Sequence, residues 1–180
     1  MDDSSNLSIT SAGTATRATR RDLQTEHLPL FGIRVGSISL LLDAHDVMAV
    51  TAMEPPTRVP GTPGHILGLV PHGDGALSIV DLAAFLGVNE GSSVDYGDVS
   101  SLRVVCVRVG ELEAGLLCHQ AIGVAQIRTD SLQSASVLRG GRLGEFVAFE
   151  VEFRGARVGM LKLKALLDAA RSVSRRESDR

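Results

Sequence analysis

The chain has 180 residues and a mass of 19.0 kDa, room for one or two small domains. A hydrophobic fraction of 44% and a charged fraction of 22% exclude a wholly disordered protein. The net charge of −3, from 18 basic and 21 acidic residues, is too balanced to predict a polyanion-binding surface.

Uncharged apolar runs such as Ile38–Leu42 and Val104–Val107 are short. None approaches the roughly 18 residues a membrane-crossing helix needs, so no membrane insertion is expected. The opening residues are acidic and polar, unlike a secretory signal, which predicts a cytoplasmic protein. Sixteen of the basic residues are Arg, a bias better explained by base composition than by function. Cys106 and Cys118 lie in apolar strand-like runs outside any CxxC pair and read as small core residues in a reducing compartment. The six aromatics are not interleaved with basic residues, so no stacking platform for single-stranded nucleic acid is present.

Residues 1–27, rich in Ser, Thr and Ala, hold no sustained period and are predicted to be a disordered arm. Phe31–Val35, a Gly36-Ser37 turn and Ile38–Leu42 predict a hairpin. Pro55, Pro56, Pro60 and Pro63 rule out both a helix and a central strand, leaving an ordered loop. Ile66–Val70 and Ala76–Val80 read as short strands around a turn at Pro71–Gly75. Asp81 and Gly87 bracket Leu82–Leu86 as N-cap and C-cap of a one- to two-turn helix. Residues 88–100 are a polar linker.

Leu102–Val109 and Leu112–Leu117 repeat the hairpin around Gly110-Glu111. Phe146–Phe153 alternates, Arg154-Gly155 turns, and Ala156–Leu163 returns. Lys164–Arg171 has helix-forming composition, and 171–180 reads as a polar, frayed tail. Sliding the chain by 74 residues lays 31–51 over 105–125 with six identities, where chance gives roughly one or two. Arg34, Val35, Gly36, Leu42, His45 and Val50 meet Arg108, Val109, Gly110, Leu116, His119 and Val124. Ile79–Leu86 lies over Met160–Leu167. The expected architecture is all-β with short helices: two small barrels, each too small for an ample core of its own, joined by an apolar seam. The halves are about 28–90 and 101–170 within a domain of 28–170, with exchange of strands between them left open.

Catalytic readings are weak. His27, His45, His65, His72 and His119 form no closely spaced ligand pair, and neighbours such as Cys118-His119 point to opposite faces of a strand, so no metal is expected. His72, Asp74 and Ser78 supply the residue types of a triad without a nucleophile elbow. Arg139–Gly144 lacks the lysine and hydroxyl of a phosphate loop and reads as a crossing loop. No catalytic residue and no cofactor is predicted. Gly68 is expected to allow a bulge or a close backbone approach.

Residues 58–87, RVPGTPGHILGLVPHGDGALSIVDLAAFLG, resemble the hallmark segment of CheW-like adaptors. Val59-Pro60, Pro63, Ile66, Gly68-Leu69-Val70, Ile79-Val80-Asp81-Leu82 and Leu86-Gly87 fit its pattern, and the resemblance extends over about 29–170. It implies two SH3-like five-stranded β-barrel subdomains and a non-enzymatic scaffold. Such a scaffold bridges a methyl-accepting chemoreceptor and the regulatory domain of a CheA-type histidine kinase. The kinase is expected at one barrel's edge and the receptor in the groove between barrels. Where the family carries Asn-Leu-Arg-Gly, this chain has Pro71-His72-Gly73-Asp74, so the turn arginine that the family ties to coupling falls on Gly73. The resemblance predicts stronger coupling in Gly73→Arg with partners of ordinary type. Candidate partner-binding residues are Val59, Leu69, His72, Gly73, Asp74 and Asp81, the last also a helix cap. A divergent module that binds one partner only is the second reading. A nucleic-acid-binding SH3-like barrel is the third, opposed by the near-neutral charge.

Overall fold

The computed structural model describes residues 26–88, 101–135 and 141–177. The expected arm up to residue 25, residues 89–100 of the linker, 136–140 of the crossing loop and the last three residues of the tail lie outside the described residues.

The first half supplies β1 (His27–Val35), β2 (Ile38–Asp43), β3 (Val47–Ala52), β4 (Ile66–His72), β5 (Gly75–Asp81) and helix α1 (Leu82–Leu86). The second supplies β6 (Arg103–Val109), β7 (Leu112–Cys118), β8 (Gln120–Arg128), the two-residue β9 (Gln133–Ser134), helix α2 (Leu143–Phe146), β10 (Val147–Phe153), β11 (Ala156–Leu161) and helix α3 (Leu163–Glu177). The predicted hairpins and the capped helix form where expected. The Asp81 side chain accepts from the Ala84 N–H, and Gly87 closes α1 in the left-handed conformation at φ +68.

Several boundaries move. His27 already belongs to β1. The turn expected over Pro71–Gly75 shrinks to Gly73-Asp74, because Pro71 pairs with Ala76 and His72 with Gly75. Phe146 closes α2 and does not begin β10; Leu143 and Gly144, expected in a loop, are helical. Leu163 starts α3, which continues to Glu177 through most of the expected polar tail. β3 and β8 lie where no strand was predicted.

The strands form a six-stranded sheet in the order β8-β1-β2-β11-β10-β9 and a five-stranded sheet in the order β3-β6-β7-β5-β4. Each sheet takes strands from both halves. The third strand of each half leaves its own hairpin and pairs antiparallel with the first strand of the other half, β8 on β1 and β3 on β6. The closing hairpins cross over too: β5 runs parallel to β7, and β11 parallel to β2. The registers obey the internal repeat, offset by 74 residues in the hairpins and by 81 in the closing strands. Phe31 faces Val124, and its counterpart Val105 faces Val50. Ile79 faces Gly115, and its counterpart Met160 faces Leu41. The molecule therefore has an approximate internal twofold.

The core explains the unbroken apolar runs. One large cluster lies between the sheets and takes Leu40 and Leu42 from β2, Val105 and Val107 from β6, Phe85 from α1, Phe146 from α2 and Leu166 from α3. The intervening residues point the other way. Val104 and Cys106 enter a second cluster confined to the five-stranded sheet, and Leu41 enters a third confined to the six-stranded sheet. Strands buried on both faces lose the polar alternation of a half-exposed strand.

Candidate functional site

The Pro-rich segment before β4 is held by local hydrogen bonds. The Thr62 hydroxyl donates to the Val59 carbonyl at 2.8 Å, and the Ile66 N–H donates to the Pro63 carbonyl at 2.8 Å. Thr57 then lies beside Leu69 as an isolated bridge, its N–H donating to the Leu69 carbonyl at 2.8 Å and its carbonyl accepting from the Leu69 N–H at 2.9 Å. Gly68 makes this approach possible: its φ is +140, and a Cβ there would stand 2.2 Å from the Thr57 carbonyl oxygen. The expectation of a close backbone approach at Gly68 is met.

This folding of the loop onto β4 raises one wall of a groove of about 410 Å³. Val59, Ile66 and Leu69 stand on that wall, Val80 and Ala114 lie on the sheet, and Leu167, Ala170 and Arg171 of α3 form the opposite side. Val59 and Leu69 are 36% and 37% exposed, two of the few large apolar side chains left open to solvent. Glu111, from the β6–β7 turn, and Glu113 also line the groove. Glu113 is ion-paired with Arg108, whereas Glu111 and Arg171 make no ion pair among the described residues. Sequence reasoning found Val59 and Leu69 but not α3 as their neighbour.

The other candidates lie elsewhere. Gly73 and Asp74 are exposed at the tip of the β4–β5 hairpin, with Gly73 at φ +55. His72 is half-buried and lines a smaller cavity of about 90 Å³ with Thr51, Glu54 and Cys106. Asp81 is buried, its carboxylate turned onto the Ala84 N–H at 2.9 Å and its own N–H donating to the His65 carbonyl at 2.8 Å. That geometry is a helix cap. Under α1, His65 meets Phe85 edge-on at 5.0 Å, and the Arg142 guanidinium lies 4.1 Å above the same ring.

The titratable groups do structural work. Burial pushes the Cys118 thiol up to about 11, against the backbone hydrogen bond at Gln120 and the charge of Arg103. Burial likewise raises Cys106, opposed by the Thr51 hydroxyl. Burial raises Asp46, aided by the nearby Asp43 carboxylate and opposed by His45. The repeat-related histidines have separate duties. His119 Nδ1 accepts from the Gly36 N–H at 2.9 Å, while His45 Nδ1 lies 2.9 Å from the Asp43 carboxylate. Among the described residues no group of three metal-ligating side chains converges.

A solved structure with the same arrangement is that of the scaffolding protein TtCheW from Thermoanaerobacter tengcongensis, with a TM-score of 0.68 and 19% identity. The match covers 78% of this chain and 92% of that one and establishes the likeness of fold. No curated protein matches the sequence. The CheW-like domain matches residues 29–171, nearly the whole of the two exchanged sheets and most of the groove wall on α3. The chain belongs to the CheW-like domain family.

Proposed function

We propose that the chain is a non-catalytic chemotaxis adaptor that couples a chemoreceptor to the regulatory domain of a CheA-type histidine kinase in the cytoplasm. The observation that carries this reading is the CheW-like fold over 29–171 together with an exposed apolar groove at its hallmark segment. A scaffold needs reversible surfaces of moderate area, and the groove and the hairpin tip are such surfaces. The kinase docks at one sheet's edge, near the β4–β5 tip, and the receptor in the groove.

Binding of purified chain to receptor alone, kinase alone and both together tests the proposal. A ternary complex is expected, with kinase activity that follows receptor state. Failure to retain kinase and receptor together overturns it. The hairpin tip supports a second reading, because Gly73 stands where the resemblance expects an arginine and the exposed Asp74 where it expects a glycine. On that reading the chain holds one partner and occupies it without bridging, and only one binary complex forms.

A further inference from the structure

We infer that Arg154, at the tip of the β10–β11 hairpin, is a docking residue for a carboxylate on an acidic segment of a partner protein. The inference rests on the adaptor reading only for which partner brings the acid; the chemistry of the tip stands by itself.

The ladder of β10 and β11 places Glu152 opposite Arg157 and Phe153 opposite Ala156, so the turn consists of Arg154 and Gly155. Both have positive φ, +52 and +79, a hairpin backbone that Asn-Gly or Gly-Gly adopts at little cost. Arg154 is the one non-glycine residue with positive φ among the described residues. Its Cβ crowds the backbone in that conformation, a penalty glycine avoids. The equivalent turn of the first half, 81 residues earlier, has Gly73 at this place with φ +55. The same bend is therefore made in this chain without strain, and turning the chain does not require an arginine. Such strain gathers at binding and switching sites, and on an exposed tip it points to a contact outside the chain.

The guanidinium is held ready for a planar anion. It lies 5.3 Å above the ring of the half-buried Phe153, and no ion pair engages it among the described residues. Stacking on an aromatic face leaves the edge N–H groups open to a carboxylate, which accepts two parallel hydrogen bonds from them. The other charges of the hairpin are placed differently. Arg157 lies 3.6 Å from the buried Glu150 carboxylate. Glu152 is exposed near the tip and repels an extended polyanion, as does the net charge of −3 at longer range. The fitting ligand is therefore an isolated carboxylate or a short acidic stretch of protein, not a nucleic acid.

The probe is a short Gly-Ser peptide carrying adjacent Glu residues; its twin carries Gln at the same positions. Titration into the full-length chain is followed by NMR at the arginine Nε–H groups. The Arg154 signal should move with the Glu peptide, which is expected to bind about tenfold more tightly than the Gln twin. Arg154→Gly should lose that preference and yet melt about 2–4 °C higher, because glycine relieves the turn. Arg154→Lys keeps the charge without the planar fork; it should bind the Glu peptide more weakly than wild type and still prefer it to the Gln twin. Equal binding of the twins, an unmoved Arg154 signal, or an Arg154→Gly chain that binds like wild type overturns the inference. So does an Arg154→Gly chain that melts no higher than wild type, which would make the turn unstrained. Tighter binding of a single-stranded oligonucleotide than of the Glu peptide would make the tip a nucleic-acid contact and overturn the inference as well. If receptor and kinase form their ternary complex but the peptide preference is absent, this inference alone fails. If the preference holds and no such complex forms, the adaptor reading alone fails.

Discussion

Gly68 and Gly115 are both glycines under pressure from neighbours, but of different kinds. A Cβ at Gly68 would meet backbone, the Thr57 carbonyl oxygen at 2.2 Å, in a conformation that L residues avoid. A Cβ at Gly115 would meet the tips of Ile79 and Val104 at 2.5 and 2.7 Å, which can turn away. Gly115→Ala is expected to cost about 1–3 kcal/mol, the usual range for overpacking. Gly68→Ala should cost more, since neither Thr57 nor φ can yield; urea unfolding of the two variants gives the order. Gly73 is the opposite case. Nothing lies within 4 Å of its Cβ position, so an arginine fits by space but must hold φ near +55. Gly73→Arg should lower stability by about 1–2 kcal/mol, read as a fall in melting temperature, even where it strengthens coupling. Cys118 makes a pH prediction. Its folded value near 11 exceeds the ordinary 9.0, so between these values the unfolded chain loses a proton that the folded chain keeps. Stability is unaffected below pH 9 and falls as pH rises toward 11, by up to about 3 kcal/mol. Cys118→Ala should remove that part of the alkaline loss in paired urea titrations.

At the scale of elements, the most local signals were the most legible. The Asp81 and Gly87 caps bracket α1 as predicted, and Gly36 and Gly110 turn their hairpins. Asp81→Ala should cost about 1–2 kcal/mol by leaving the Ala84 N–H without its acceptor, while Asp81→Asn keeps most of it; thermal melts of the pair separate cap from charge. β3 and β8 escaped notice because neither carries a clean alternation. β8 holds Gly123 at φ +104, and its pairing with β1 slips at Gly32/Ile33. The duplication held the missing signal, since 47–51 lies over 121–125 and both segments are third strands of their halves. Phe146 was misplaced because an aromatic beside Val147 satisfies a strand pattern as well as the end of a short helix. The groove was only half legible. Val59 and Leu69 belong to a motif, but their approach to Leu167 and Ala170 depends on contacts about a hundred residues apart, which no local pattern encodes.

At the scale of the molecule, the crossing of strands decides how the chain can be divided. Neither half owns a sheet: β1 and β2 need β8 and β11, and β6 and β7 need β3 and β5. Fragments 1–95 and 96–180 should each lack a cooperative thermal transition and regain one when mixed, followed by far-ultraviolet circular dichroism. Independent melting of either fragment would contradict the topology. The central cluster points the same way, because Leu40 and Leu42 are sealed by Val105, Val107 and Leu116 from the other half.

The matched registers, Phe31 on Val124 and Val105 on Val50, put the two halves in equivalent places about an approximate twofold. The two halves are not alike in detail. The bulges of β4 and β10 still coincide, but the residue just past each has parted company: Leu69 faces outward beside α3, and Glu150 is 1% exposed. A strictly mirrored pair would offer every docking surface twice and could recruit the same ligand at both ends. The contrast between Leu69 and Glu150 gives the two halves unlike surfaces at equivalent places.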